Sequence, residues 1–347
     1  MTAQLVEETE KPKKALKRKI EDLGEEFGYL QRKCREFGIP VLIVVEGWSA
    51  AGKGSMINKI IQPLDPRGFK VTCIASPSRD EQLRPFLWRF WRRTPSAEKM
   101  AIFDRSWYRN LLDEVVDGNL SGEDLEKAYA DIRSFERQLR DSGTIIFKLF
   151  LNISKKEQAQ RLQTLRKNPN TSWRVDDGVL ARHYKYEEYK QASKEMFAET
   201  DVEDGAHWQE IDTTKFLPAT AKVLEILVTL LKNKVEKRKK GIKFNRNIPS
   251  AELPHFKTAP SLAKVDTSLS LQKDEYREKL FTRQKKIHEL HNELYRLRIP
   301  MVIVYEGWDA AGKGGNIRRL TEEMDPRGYE VIPISAPNDV EKVHHYL

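Results

Sequence analysis

The apolar positions of this chain keep two rhythms. Leu23, Phe27, Leu30, Cys34 and Phe37 recur at intervals of 4, 3, 4 and 3, which is one face of a helix. The run Val41–Val45 that follows is apolar without a break, which suits a central parallel strand covered on both faces. A helix is expected from about Lys53, then a strand over Lys70–Ala75 and a basic-aromatic helix over 79–93. A second buried strand is expected over Ala101–Asp104, a helix over 123–140 and a third buried strand over Thr144–Leu151. Residues 154–198 read as charged and helical, Trp208–Ile211 as a short strand and Ala219–Leu231 as a closing helix. Strands alternating with helices predict a parallel sheet in an α/β layer fold.

The opening of this pattern returns later. Residues 39–54 read IPVLIVVEGWSAAGKG, and residues 299–314 read IPMVIVYEGWDAAGKG. DPRG at 65–68 recurs at 325–328, and Pro77 maps onto Pro337 with the same shift of 260 positions. Ile287, Leu290, Leu294 and Leu297 repeat the leading helix, and Met301–Tyr305 the buried strand. A constant shift without gaps means a duplicated domain rather than short stacked repeats. Leu347 maps onto Leu87, so the counterpart of Trp88–Leu231 is missing, as in a fragment of a longer two-copy protein. Seven basic residues within 232–243, followed by Pro249, Pro254 and Pro260, read as a linker. The expected organisation is a basic N-terminal tail (1–20), a first domain (21–232), a linker (233–272) and the start of a second domain (273–347).

Composition narrows the classes. At 39% apolar and 33% charged, the chain can still build cores, so wholesale disorder is not expected. A net charge of +9 favours polyanionic partners such as nucleic acid, anionic lipid or phosphate compounds, without choosing among them. Two cysteines, Cys34 and Cys73, exclude a disulfide scaffold and a four-cysteine zinc site, and both are expected in the core. No apolar run reaches the length of a transmembrane helix, and the N-terminus has no apolar signal core. A cytoplasmic protein is the default expectation.

The chemistry is carried by Gly47-x-x-x-x-Gly52-Lys53, between a buried strand and a helix. That is the context of a phosphate-binding P-loop. Glycines allow backbone N–H groups to face phosphate oxygens, the helix N-terminus adds its dipole, and Lys53 supplies charge. Gly307, Gly312 and Lys313 repeat the arrangement. The Ser or Thr that ordinarily follows the lysine and binds magnesium is Gly54 here, and Gly314 in the second copy. A metal would therefore fall to carboxylates, with Asp309 inside the second loop and Asp104 at the end of an apolar strand as candidates. Arg84, Arg89, Arg92 and Arg93 alternate with aromatics; their guanidinium face suits a channel for a long anion, a nucleic acid or a plain solvated basic surface. Arg161, Arg166, Lys167, Trp173, Arg174 and Arg182 lie where a helical lid brings arginines over the phosphates.

EGW(S/D)AAGKG, DPRG, FDRSWY at 103–108 and the Trp173-Arg174 pair together resemble the polyphosphate kinase 2 family, and the tandem copies resemble its two-domain polyphosphate:AMP phosphotransferases. The resemblance implies a three-layer P-loop kinase-like α/β sheet with a helical lid, duplicated, the second copy incomplete. It implies Mg2+-dependent transfer of a terminal phosphate from inorganic polyphosphate to a nucleotide, AMP to ADP, in a homo-oligomer, with nucleic acid and membranes disfavoured as partners. Lys53 and Lys313 match the loop lysine and Asp309 the family's loop aspartate. Asp104 and Arg105 match the second motif, Glu114 a carboxylate after it, and Arg161, Arg166 and Arg174 the lid. Gly47, Gly52, Gly54, Gly307, Gly312 and Gly314 form the loops. The first copy departs from the pattern at Ser49, at Arg109-Asn110 and at Val115. Serine cannot hold a metal by charge, so the first copy also reads as a non-catalytic polyphosphate-binding or dimerisation module. A nucleotide kinase using ATP is the other alternative.

Overall fold

The computed structural model describes residues 2–201, 206–239, 268 and 270–334. The chain opens with α1 (Thr2–Glu36), β1 (Val41–Gly47), α2 (Lys53–Ile61) and β2 (Phe69–Cys73). Two short helices, α3 (Arg79–Gln82) and α4 (Trp88–Trp91), lead to β3 (Met100–Asp104), α5 (Trp107–Val116) and α6 (Gly122–Asp141). Then come β4 (Ile145–Asn152), α7 (Lys155–Lys167), α8 (Asp177–Tyr184), α9 (Tyr186–Thr200), β5 (Trp208–Asp212) and α10 (Phe216–Lys239). The second copy contributes α11 (Lys273–Leu297) and α12 (Lys313–Thr321).

The five strands form one all-parallel sheet in the order β2-β3-β1-β4-β5. β1 is buried along its whole length, as its unbroken apolar run requires. One group of helices packs together as α1, α2 and α10, another as α5, α6 and α9, giving the layered α/β fold. The core holds a buried ion pair: Lys148 on β4 reaches Glu136 at 3.2 Å and the Thr200 carbonyl at 2.7 Å, and Tyr108 donates to Glu136 at 2.5 Å. Lys148, Glu136 and Tyr108 are all buried, so this triad belongs to the core.

The structure departs from the expected elements in several places. Residues 79–93 are not one helix: Pro85 lies between α3 and α4, and its ring disfavours helix at the residue before it. Helix α5 was not anticipated, although Ser106 caps it by accepting from the Tyr108 N–H and Trp107, Tyr108, Leu111 and Leu112 form its buried face. Met301–Tyr305 forms no strand, and Val302 and Val304 are 87% and 72% exposed. β1 is held by β3 and β4, whereas Met301–Tyr305 has no strand neighbour among the described residues and so no ladder to join. Cys34 is buried as expected, but Cys73 ends β2 at the mouth of a cavity. Helix α1 takes in most of the stretch set apart as a tail, and α10 runs into the basic segment as far as Lys239. Most of the linker, and Pro337, lie outside the described residues.

Candidate active site

Parallel pairing brings the site together. Val45 on β1 lies opposite Asp104 on β3, so the loop after β1 and the carboxylate ending β3 share the C-terminal edge of the sheet, where open α/β sheets bind ligands. Gly47 leaves β1 at φ 127°, and a Cβ there would come within 2.2 Å of the Leu151 carbonyl oxygen, so only glycine fits. Trp48 fixes the next turn, stacked on Tyr186 at 4.2 Å and donating to Asn152 Oδ1 at 2.7 Å. Gly52 turns left-handed at φ 91° and starts α2 at Lys53.

Lys53 Nζ donates to the carbonyls of Gly47 at 2.8 Å and Trp48 at 2.9 Å, under the loop. Burial lowers its pKa to about 7, and the Arg105 charge acts the same way, while Asp104 and Glu46 oppose it. Glu46, buried at the end of β1, accepts from the Ser106 hydroxyl at 2.8 Å, and burial pushes its carboxyl up. Arg105 is left-handed at φ 66°, a conformation costing about 1–3 kcal/mol outside glycine and found where a side chain is aimed for function.

A cavity of about 750 Å³ opens beside the loop. Ser49, Gly52, Lys53, Gly54, Asp104 and Arg105 line one side, and Arg161, Arg174 and Arg182 another. Arg161 is tied down rather than free: it donates to Glu157 at 2.7 Å, to the Thr213 carbonyl at 2.7 Å and to the Ala50 carbonyl of the loop at 3.4 Å. It braces the loop from α7. Arg174 has a buried Nε with no acceptor among the described residues, and burial, then the Arg327 charge, lower its pKa. Asp104 likewise keeps a buried, unpartnered Oδ1. Such an oxygen fits a hard cation. Among the described residues no three His, Cys, Asp or Glu side chains converge, so an ion there would draw most ligands from phosphate and water.

Other candidates lie elsewhere. Arg166 and Glu114 are exposed and do not line the cavity. Arg84 and Arg92 lie over the Trp88 ring, while Arg89 and Arg93 meet Glu81 at 3.5 and 3.0 Å, so the expected guanidinium face is spent on local packing. Asp309, Gly307, Gly312, Lys313 and Gly314 form a second loop outside this cavity, with Asp309 exposed. The cavity also takes residues that no motif reading assigned: His288, His291 and Tyr295 on α11, and Asp325 and Arg327 of the second DPRG. The recurrence of DPRG at constant spacing was the available signal for the last two.

The polyphosphate kinase 2 family profile matches residues 10–240 and 270–347. The chain is 32% identical over 308 residues to the polyphosphate:AMP phosphotransferase of Pseudomonas aeruginosa, covering 89% of this chain and 62% of that protein. It is 30% identical over 311 residues to the enzyme of the same name from Pseudomonas syringae pv. tomato, covering 88% and 61%. The chain thus spans about three-fifths of the length of these curated relatives. The crystal structure of polyphosphate kinase 2 from Arthrobacter aurescens TC1 superposes with a TM-score of 0.59 at 28% identity, over 66% of this chain and 81% of that one. A P-loop at the edge of a parallel sheet, an Asp-Arg pair on the neighbouring strand and a match over both copies agree: the chain belongs to the polyphosphate kinase 2 family.

Proposed function

We propose that this protein moves a terminal phosphate from inorganic polyphosphate to a nucleotide, AMP to ADP. The observation that carries the reading is the convergence of Lys53, Arg105, Arg161, Arg174 and Arg182 on one cavity beside a P-loop. In-line transfer between two polyanions needs positioning and charge neutralisation more than covalent help from the protein. In the first copy the loop amides and Lys53 hold the phosphate being transferred. Arg105 fixes its neighbour, and Arg174 and Arg182 cover the chain of phosphates from the lid side. Arg161 keeps the loop in shape. Asp104, through Oδ1, is the residue that would hold Mg2+, whose chemistry is to neutralise charge on the transferring phosphate. Asp309 and Lys313 sit in the second loop, outside this cavity, and are assigned no part in the transfer carried by the first copy's site. The proposal includes the cytoplasmic location and homo-oligomeric state expected from the sequence; light scattering tests the latter. No described helix is long and apolar enough to cross a membrane.

Ser49 supports a second reading, a polyphosphate-binding module, because a hydroxyl stands in the cavity where the second loop carries Asp309. One assay separates the readings: the chain with AMP and Mg2+, given either polyphosphate or ATP, with ADP followed by chromatography. ADP from polyphosphate alone supports transfer. ADP only with ATP supports a nucleotide kinase. No ADP, with polyphosphate bound tightly, supports the module.

A further inference from the structure

The two copies meet as a two-fold pair. Gln62 Nε2 donates to Glu322 Oε1 at 3.3 Å, and Lys70 pairs with Glu330; in both cases the partners are equivalent positions, 260 apart. The off-axis contacts are reciprocal. A Cβ built on Gly54 would lie 3.1 Å from the Arg327 guanidinium carbon, and one built on Gly314 would lie 3.7 Å from Arg67 Nη2. Residue i touching j, with the equivalent of j touching the equivalent of i, is the mark of an isologous contact.

The arginine of the second DPRG reaches further than its mirror image. Arg327 Nη1 meets Asp104 Oδ2 at 3.2 Å, inside the cavity of the first copy. Its fork is held from behind by Asp325, with Nε to Oδ1 at 2.9 Å and Nη2 to Oδ2 at 2.6 Å. Three of its N–H groups are engaged in this way, and the other two of a guanidinium have no acceptor among the described residues. A guanidinium whose rotamer is already fixed by a bidentate carboxylate loses little freedom when an anion arrives. The same contact bears on Gly54: a Cβ there would press on the guanidinium at 3.1 Å, so a side chain at this position would push Arg327 aside.

We infer that Arg327, carried by the second copy, is a phosphate-binding residue of the first copy's site. The site is then composite: the loop, Asp104 and the lid arginines come from one copy and the DPRG arginine from the other. This rests on the phosphate-site reading above and adds a residue in trans. Arg174, whose burial and proximity to Arg327 both disfavour its charge, shares the cavity, so a bound polyanion would also favour the charged form of this second arginine.

The test is titration calorimetry of inorganic polyphosphate into the full chain, without divalent cations, at several salt concentrations. Arg327→Ala is expected to weaken binding about tenfold, the size of a lost charge-assisted hydrogen bond. It should also flatten the slope of log affinity against log salt by about one contact. Gly54→Ser displaces the guanidinium but leaves the Arg327–Asp325 pair intact, and serine is compatible with a P-loop, so folding is preserved. It should weaken binding by a similar factor, and the double variant should be no worse than either single one. Arg67→Ala, at the mirror contact outside the cavity, should keep both affinity and slope. If Arg327→Ala binds like the unaltered chain while Lys53→Ala loses binding, the inference is overturned and the phosphate site stands. A loss of affinity with an unchanged salt slope would make Arg327 an interface residue and would overturn it too. If Lys53→Ala also binds normally, the phosphate reading itself fails.

Discussion

Gly47–Lys53 and Gly307–Lys313 are folded almost alike. Ala50 and Ala310 are left-handed at φ 62° and 60°, and Gly52 and Gly312 at 91° and 84°. Lys53 donates to two loop carbonyls at 2.8 and 2.9 Å, and Lys313 to their equivalents at 2.5 and 2.7 Å. The surroundings differ. Trp48 is 8% exposed and stacked on Tyr186, whereas Trp308 is 61% exposed. The first loop leaves a strand held on both sides; the second leaves a segment with no strand neighbour among the described residues. A short Gly-rich sequence thus suffices to build the anion nest, because the nest is closed by its own backbone and its own lysine. It does not suffice to build a site, which needs Asp104, Arg105 and the lid brought in by the sheet.

The largest expected effect lies in hydrogen exchange. Val41–Val45 amides open only with the sheet, so they should be protected at least ~1,000-fold more than Val302–Tyr305, given typical domain stabilities. Equal protection measured by mass spectrometry would show that the second segment is paired after all, and the contrast would collapse. Next comes turnover. Lys53→Ala should cost about 100-fold in ADP formation, the scale of one lost preorganised contact, while Lys313→Ala and Asp309→Asn should stay within about 2-fold in this chain. The reverse pattern would hand the activity to the second copy.

A smaller effect is in pH. The lysine of the first loop has its pKa lowered to about 7 when the site holds no anion. A bound polyanion favours the charged form, so binding takes up a proton above that pH. Affinity for polyphosphate should therefore fall as pH rises through about 7, by roughly tenfold between pH 6 and pH 8, on the scale of one pKa unit. The comparison is with Lys53→Ala, which should lack this component; parallel profiles would remove Lys53 from the site. The smallest effect is expected on the pseudo-two-fold itself. Lys70 and Glu330 are both well exposed, so Lys70→Ala should change stability by no more than about 1 kcal/mol in a chemical melt. A larger loss would mean that the two copies fold as one unit.

Much of this was legible along the chain. The shift of 260 positions revealed the duplication, and the buried strands announced themselves because a central parallel strand is apolar on both faces. The P-loop was readable because its conformation is local: glycines at the left-handed positions and a lysine that folds back on its own loop. Three things depended on the third dimension. Met301–Tyr305 repeats β1 in sequence yet forms no strand, since a parallel strand takes its hydrogen bonds from neighbours and not from itself. Arg84, Arg89, Arg92 and Arg93 looked like an anion track, but Pro85 and Glu81 turned them to local partners. Arg327 joined the first loop only because the two copies dock about a two-fold, a contact between residues 223 positions apart from Asp104 that no spacing along the chain encodes. The sequence by itself determined the loops, which close over a few residues, and the repetition of the pattern; the tertiary structure alone decided that Arg327 of the second copy meets Asp104 of the first, because that contact belongs to packing between distant segments.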